Sequence, residues 1–122
     1  MRTKSVALVS VVLVLIWVPV AAAHHSAAAQ DFSKSVEVEG VVKVFEIANP
    51  HGRVILRVTG ATGTRDIEFE THSRNNVYRA GYRDGMVKAD DKIKIIIAPN
   101  RDGIEGGYVK SFVTAAGKKV GN

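Results

Sequence analysis

The feature that most constrains this chain is a period-two alternation of apolar and polar residues that recurs after residue 34. Val54, Leu56 and Val58 alternate with basic and hydroxyl side chains, and Ile67 and Phe69 alternate with acids. Such alternation is typical of strands that bury one face. We therefore expect this part of the chain to form a small all-β domain.

The apolar segments predict five strands, and the polar segment between the third and fourth predicts one short helix. Ser73 is suited to cap a helix over residues 74–80, and Gly81 is placed to end it. Gly40 interrupts a long first strand, where it predicts a bulge. The predicted strands cover residues 36–47, 53–59, 66–70, 92–98 and 107–114.

This order of elements favours a closed barrel. Three strands, a helix and two strands, with a bent first strand, are features of the OB fold, a five-stranded Greek-key barrel. We predict such a barrel over residues 35–114 and a flexible tail over residues 115–122. The alternative is an open antiparallel sheet with the helix on one face. Closing the sheet removes exposed edges, which favours the barrel.

The first 23 residues have the organisation of a secretory signal peptide. Arg2 and Lys4 precede an apolar run over residues 6–18, and Ala21 and Ala23 supply the small side chains that a signal peptidase reads. The alternative is an uncleaved membrane anchor, which needs about 20 apolar residues, but no basic stop-transfer cluster follows the run. We predict cleavage after Ala23 and a periplasmic or secreted protein without a stable membrane span.

Cleavage would leave one domain, with residues 24–34 as an extended arm before the barrel. The chain has 17 Lys and Arg against 12 Asp and Glu, so losing Arg2 and Lys4 would lower its net charge from +5 to +3. This mild charge favours solubility and is not by itself typical of nucleic-acid binding. The chain has no cysteine, which excludes thiol catalysis and thiolate metal sites.

The four histidines are the candidate metal ligands: His24, His25, His51 and His72. Cleavage after Ala23 would place a free α-amino group beside the His24 imidazole, and the two can chelate one ion. A set of nitrogen ligands with nearly planar geometry suits Cu(II) or Ni(II) better than Zn(II). The alternative is structural: the first two histidines solvate the terminus, the third fills a turn, and the fourth helps to cap the helix.

Other classes of function are less favoured by the sequence. The chain lacks the Gly-x-Ser-x-Gly, phosphate-loop and His-Glu-x-x-His motifs, so we expect no enzyme activity. Binding of single-stranded nucleic acid or another anionic polymer would need aromatic side chains beside a basic groove. The candidates are Phe45, Tyr78, Tyr82 and Tyr108, several of which we expect in the core. A further alternative is an envelope module that binds a protein or a small ligand without a metal.

Three short segments carry a resemblance to a known family. They are His-His-Ser at residues 24–26, Asn-Pro-His at residues 49–51, and Arg-Ala-Gly-Tyr at residues 79–82. Together they resemble a family of small exported bacterial proteins of unknown function, over nearly all of residues 24–114. Family members typically have an aromatic residue where this chain has Ala27. The resemblance implies a secreted, OB-like β-barrel and brings no established activity.

Overall fold

The computed structural model describes residues 28–121. The predicted signal peptide, its cleavage after Ala23, and the ligands His24 and His25 lie outside these residues. The described chain forms six strands and one helix: β1 (Val36–Glu46), β2 (Arg53–Gly60), β3 (Gly63–Glu70), α1 (Arg74–Arg79), β4 (Lys92–Pro99), β5 (Gly107–Val113) and β6 (Lys119–Gly121). Within the same residues, no helix is long and apolar enough to cross a membrane.

The strands form a closed barrel. Their order is β3-β2-β1-β4-β5-β6, and an additional pairing between β3 and β5 joins the two sides of the sheet. That pairing is parallel and aligns Glu70 with Tyr108, whereas the other strand pairs are antiparallel. Strands β1–β5 close the barrel, and β6 extends the sheet beyond β5. The closed five-stranded barrel with one short helix confirms the OB-like prediction and excludes the open sheet.

Strand β1 is long because it serves two neighbours. Its first half pairs with β4, and its second half pairs with β2. The bulge predicted at Gly40 is wrong: the register shift lies between Val42 and Val44. Gly40 stays in register, and a Cβ atom there would lie 2.8 Å from the Arg57 carbonyl oxygen. The glycine therefore permits a close approach of two backbones rather than an extra residue.

The inward side chains of the barrel form one apolar core. Leu56 and Ile95 are fully buried, as the alternation predicts, and each is followed along its strand by a residue that is at least partly exposed. This core includes Val42, Val54, Leu56, Ile67, Phe69, Tyr82, Ile93, Ile95, Ile97 and Phe112. Burial of these side chains is the main driving force for folding in a domain without disulfides.

Helix α1 lies over one end of the barrel. It begins at the predicted residue and ends at Arg79, one residue before the predicted end. The Ser73 hydroxyl accepts a hydrogen bond from the Asn76 amide at 3.4 Å, which caps the first turn. The helix ends at the Ala80 cap, and Gly81 follows with φ of +108°, a conformation that glycine adopts without strain. The helix contributes the buried Val77 to the core.

The C-terminal segment is not the flexible tail that we predicted. A turn in which the Gly117 amide donates to the Thr114 carbonyl leads into β6. Strand β6 pairs with β5, and Val120 lies opposite Phe112. Val120 is only 1% exposed and belongs to the core. Burial of Val120 and pairing with the edge of β5 therefore order this segment. The sequence did not predict the strand, because a single valine gives too little alternation.

Candidate functional site

A cluster of aromatic and titratable side chains lies on the outside of the barrel where β3 ends and β5 begins. Phe69 and Thr71 point into the barrel and are buried, so Glu70 and His72 face outward. Tyr108 is aligned with Glu70 across the parallel pairing and also faces outward. The pairing that closes the barrel thus brings residues far apart in sequence onto one surface.

The loop between β1 and β2 adds His51 to this cluster. The loop contains a bend at Asn49 and Pro50, which are joined by a cis peptide. Gly52 fits tightly against β1, because a Cβ atom there would lie 2.1 Å from the Glu46 carbonyl oxygen. The Gly52 carbonyl accepts a hydrogen bond from the Thr71 amide at 2.9 Å. These tertiary contacts hold the loop against the end of β3.

His51 contacts the end of β3 through its Nδ1 atom. This atom lies 3.2 Å from the Thr71 carbonyl oxygen and 3.4 Å from Glu70 Oε1. A carbonyl oxygen can only accept, so this contact favours the tautomer with a proton on Nδ1. The same arrangement, in which a backbone carbonyl or a carboxylate fixes one ring nitrogen, orients histidines that bind metals.

Tyr108 contacts both histidines. Its hydroxyl lies 2.9 Å from His72 Nδ1, and the two rings are nearly perpendicular with centroids 4.8 Å apart. The His51 ring approaches Tyr108 edge-on, with centroids 6.2 Å apart. Phe32, from the segment before β1, packs on Tyr108 at 5.4 Å. These are the distances at which aromatic rings attract one another. We call these residues, His51, Glu70, His72, Tyr108 and Phe32, the histidine–tyrosine cluster.

The surroundings of His72 and Tyr108 favour the neutral forms of these two side chains. Burial lowers the pKa of His72 below its ordinary value, and the nearby His51 lowers it further. Burial also raises the pKa of Tyr108, with a smaller contribution from the charge of Glu70. At neutral pH His72 is therefore an uncharged imidazole beside an uncharged phenol. A neutral imidazole is the form that can donate a lone pair to a metal ion.

The segment that leads towards the N terminus is attached beside this cluster. The Asp31 amide donates to the Pro99 carbonyl at 2.8 Å, and the Arg101 amide donates to the Ala29 carbonyl at 2.9 Å. Gln30 forms an isolated bridge with Asn100. Residues 29–31 thus extend the end of β4, and Phe32 follows directly onto Tyr108.

The described residues contain two of the four predicted metal ligands. His51 and His72 are brought to the same tyrosine, whereas His24 and His25 lie outside the described residues. Within residues 28–121, no three His, Asp, Glu or Cys side chains are grouped closely enough to hold a metal ion. The histidine pair by itself is therefore an incomplete set of ligands.

Our sequence-based site did not include Glu70, Tyr108 or Phe32. Alternation within β5 could have placed Tyr108 outside, because Gly107 and Val109 are buried on either side of it. Its position beside His72 depends on the parallel alignment of β3 and β5, for which the sequence carries no local signal.

Comparisons with curated proteins and with solved structures found no match to the chain. The model of one protein family, DUF6152, matches residues 12–110 and therefore covers most of the chain. This agrees with the expected membership of a family without an established function. The chain accordingly belongs to DUF6152, a family of unknown function.

Proposed function

We propose that this protein is an exported β-barrel that binds Cu(II) between its processed N terminus and the histidine–tyrosine cluster. The observation that carries the proposal is the contact of Tyr108 with both His51 and His72, at the place where Phe32 attaches the N-terminal segment. The predicted ligands of the terminus and of the barrel then belong to one surface.

The length of the arm supports this arrangement. Six residues lie between His25 and Phe32, and the last three of them, residues 29–31, are held along the end of β4. The four steps from His25 to Ala29 span at most about 14 Å when extended, which exceeds the roughly 11 Å that the three steps from Ala29 to Phe32 can span. The free part of the arm is therefore long enough to return to Phe32. The arm thus imposes no geometric barrier to a site shared between His24, His25 and the cluster.

The ligand chemistry favours Cu(II). After cleavage, the α-amino group has an ordinary pKa of about 7.7–8.0, so a metal ion can displace its proton. Together with the His24 imidazole it forms a chelate, and His25, His51 or His72 supplies a further nitrogen. Nitrogen ligands in a nearly planar set suit Cu(II). When Tyr108 accepts a hydrogen bond from His72 Nδ1, the lone pair of the ring lies on Nε2, where it can bind the ion.

The first experiment is a Cu(II) titration followed by electron paramagnetic resonance. It compares the chain that begins at His24 with the same chain whose α-amino group is acetylated. Acetylation removes the amine as a ligand and leaves residues 28–121 unchanged, so we expect binding to weaken at least about tenfold. If both forms bind equally weakly, or if neither binds, the alternative of an envelope interaction module without a metal replaces this proposal.

A second comparison tests the contribution of the barrel. In the chain that begins at His24, His72→Asn removes a proposed ligand, and Asn76→Ala alters a nearby side chain on α1 that we do not propose as a ligand. We expect only His72→Asn to weaken Cu(II) binding and to change the nitrogen hyperfine pattern. Equal spectra for both variants would exclude His72 as a ligand, and the same result for His51→Asn would confine the metal to the terminus and contradict the shared site.

The export part of the proposal has its own test. The intact mass of the protein purified from its native envelope should correspond to a chain that begins at His24. A mass that retains residues 1–23 would contradict both export with cleavage and the amine-dependent site.

A further inference from the structure

A second candidate site lies at the end of the barrel away from α1. A cleft of about 440 Å³ opens between the beginnings of β1 and β3, the ends of β2 and β4, and the loop that joins β4 to β5. Its apolar lining includes Val58, Ile67, Phe69 and Ile97. This volume lies within the range of small-molecule sites, and an apolar lining with few polar groups is typical of them.

The mouth of the cleft holds the most exposed large apolar side chain of the described residues. Ile104, in the loop between β4 and β5, is 69% exposed and lines the cleft. The next most exposed are Val36 at 42% and Phe32 at 39%, and Phe32 packs on Tyr108. The Ile104 side chain is exposed to water beside the apolar lining of the cleft. It would gain apolar contacts if an apolar molecule occupied the cleft.

The charged side chains around the cleft are balanced. Three carboxylates line it or its rim, and each is paired with a basic side chain, so the rim presents no excess of either sign. The pairs are Glu37 with Lys94 at 2.9 Å, Glu39 with Lys92 at 2.8 Å, and Glu105 with Arg65. An ion entering the cleft would lose hydration without gaining a counter-charge. The cleft is therefore suited to an uncharged molecule.

The guanidinium of Arg65 is not available to a molecule in the cleft. Arg65 binds Glu105 through Nε and Nη2. Its Nη1 atom lacks a hydrogen-bond partner within residues 28–121, and it is buried out of reach of solvent. A molecule in the cleft therefore gains no counter-charge from this residue, which again favours an uncharged occupant.

We propose that this cleft binds a small, uncharged, mainly apolar molecule. The molecule contacts Val58, Ile67 and Ile104. The site is separate from the histidine–tyrosine cluster and does not depend on a metal.

The test uses a fluorescent probe of this chemistry, 6-propionyl-2-dimethylaminonaphthalene, which has an apolar ring system and no charge. Titration into the protein should give a saturable, blue-shifted emission. Ile104→Ser should weaken binding about tenfold, the ratio expected when an apolar side chain of that size loses its contact. Ile104 is in an exposed loop, so the variant should remain folded. Ile55→Ser is the matched control, because Ile55 faces away from the barrel interior and does not line the cleft.

Methyl NMR locates the probe independently of these variants. We expect its addition to shift the methyl signals of Val58, Ile67 and Ile97, and to leave those of Val77 and Val120 at the other end unchanged. Absence of saturable binding, equal weakening by both substitutions, or shifts confined to other residues would overturn the proposal. An anionic analogue, 1-anilinonaphthalene-8-sulfonate, should bind more weakly, and tighter binding of this anion would overturn the assignment to uncharged molecules.

Discussion

The two ends of the barrel differ in how well the apolar interior is covered. At the end where α1 lies, residues 71–91 and β6 close the interior, where the cavity measures about 30 Å³, and a cleft of about 380 Å³ beside Phe32 and His72 lies outside it. At the other end, the cleft measures about 440 Å³. The strands are the same, so the difference arises from the connections. The long connection, residues 71–91, supplies Val77, Tyr82 and Val87 to the core. The hairpin at Gly60 and Gly63 has no large side chains to contribute.

This difference separates stability from recognition within one small domain. Dense packing at the α1 end holds the backbone that carries the histidine–tyrosine cluster, and a rigid support keeps ligands in a fixed geometry. At the uncovered end, apolar surface is in contact with water. A bound molecule that covers this surface would gain free energy from its burial. We expect substitutions at the α1 end to act mainly on folding, and substitutions at the open end to act mainly on binding.

The largest expected effect is at Phe112, which is 5% exposed and packs against Phe45 and Tyr82. Phe112→Ala should lower the free energy of unfolding by about 3–5 kcal/mol because it leaves a cavity in the closed end. Ile104→Ala at the open end is the comparison, and it should change stability by no more than about 0.5 kcal/mol. Urea unfolding measures the free energy of unfolding of both variants. Similar decreases in this free energy would show that the two ends are equally packed.

A smaller effect is expected at Val120, which tests whether β6 contributes to closing the α1 end. Val120→Ala removes two buried carbon atoms and should cost about 2 kcal/mol. Lys118→Ala, an exposed position in the same segment, should be within about 0.5 kcal/mol of the original protein. If Val120→Ala proved as mild as the lysine variant, the C-terminal segment would contribute nothing to the core.

The smallest effect concerns pH and is confined to the histidine–tyrosine cluster. Burial, together with His51, places the pKa of His72 below the ordinary value that the unfolded chain retains. As pH falls through about 6.5, the unfolded chain binds this proton first, so stability declines until the pH passes the lower, folded-state pKa. Above about 6.5 the residue has no such effect.

The measurement is urea unfolding of the original protein and of His72→Asn at about pH 7.5 and about pH 5.5. We expect the variant to lose less stability over this interval because the titrating group is gone, while the remaining groups are common to both proteins. An equal loss in both proteins would contradict the unfavourable protonation of His72.

Much of the fold was predictable because it depends on local patterns. Alternation defined the five barrel strands, and Ser73 and Gly81 marked the helix ends, since capping and positive φ are local requirements. The sixth strand was not predictable, because Val120 is ordered by a partner strand rather than by its neighbours in sequence. Gly40 was misinterpreted for a similar reason: its role depends on the approach of Arg57 from β2.

The site was predictable only as a set of residue types. Histidine chemistry singled out His51 and His72, and the fold places both beside Tyr108. The contribution of Tyr108 follows from the alignment of β3 with β5, which is a property of the closed barrel. Metal binding and export remain predictions, since the ligands His24 and His25 lie outside the described residues.

The shared use of β1 has a consequence for the kinetics of folding. Strands β2 and β3 can pair as a local hairpin, and so can β4 and β5. The first half of β1, however, must find β4 from the far half of the chain, aligning Val36 with Ile97. Bringing such distant segments together loses chain entropy before the contacts are gained, and barrels of this kind fold in milliseconds to seconds. The order of synthesis adds to this delay, because β1 is synthesised well before β4. The first half of β1 therefore lacks its hydrogen-bonding partner until most of the barrel has been made.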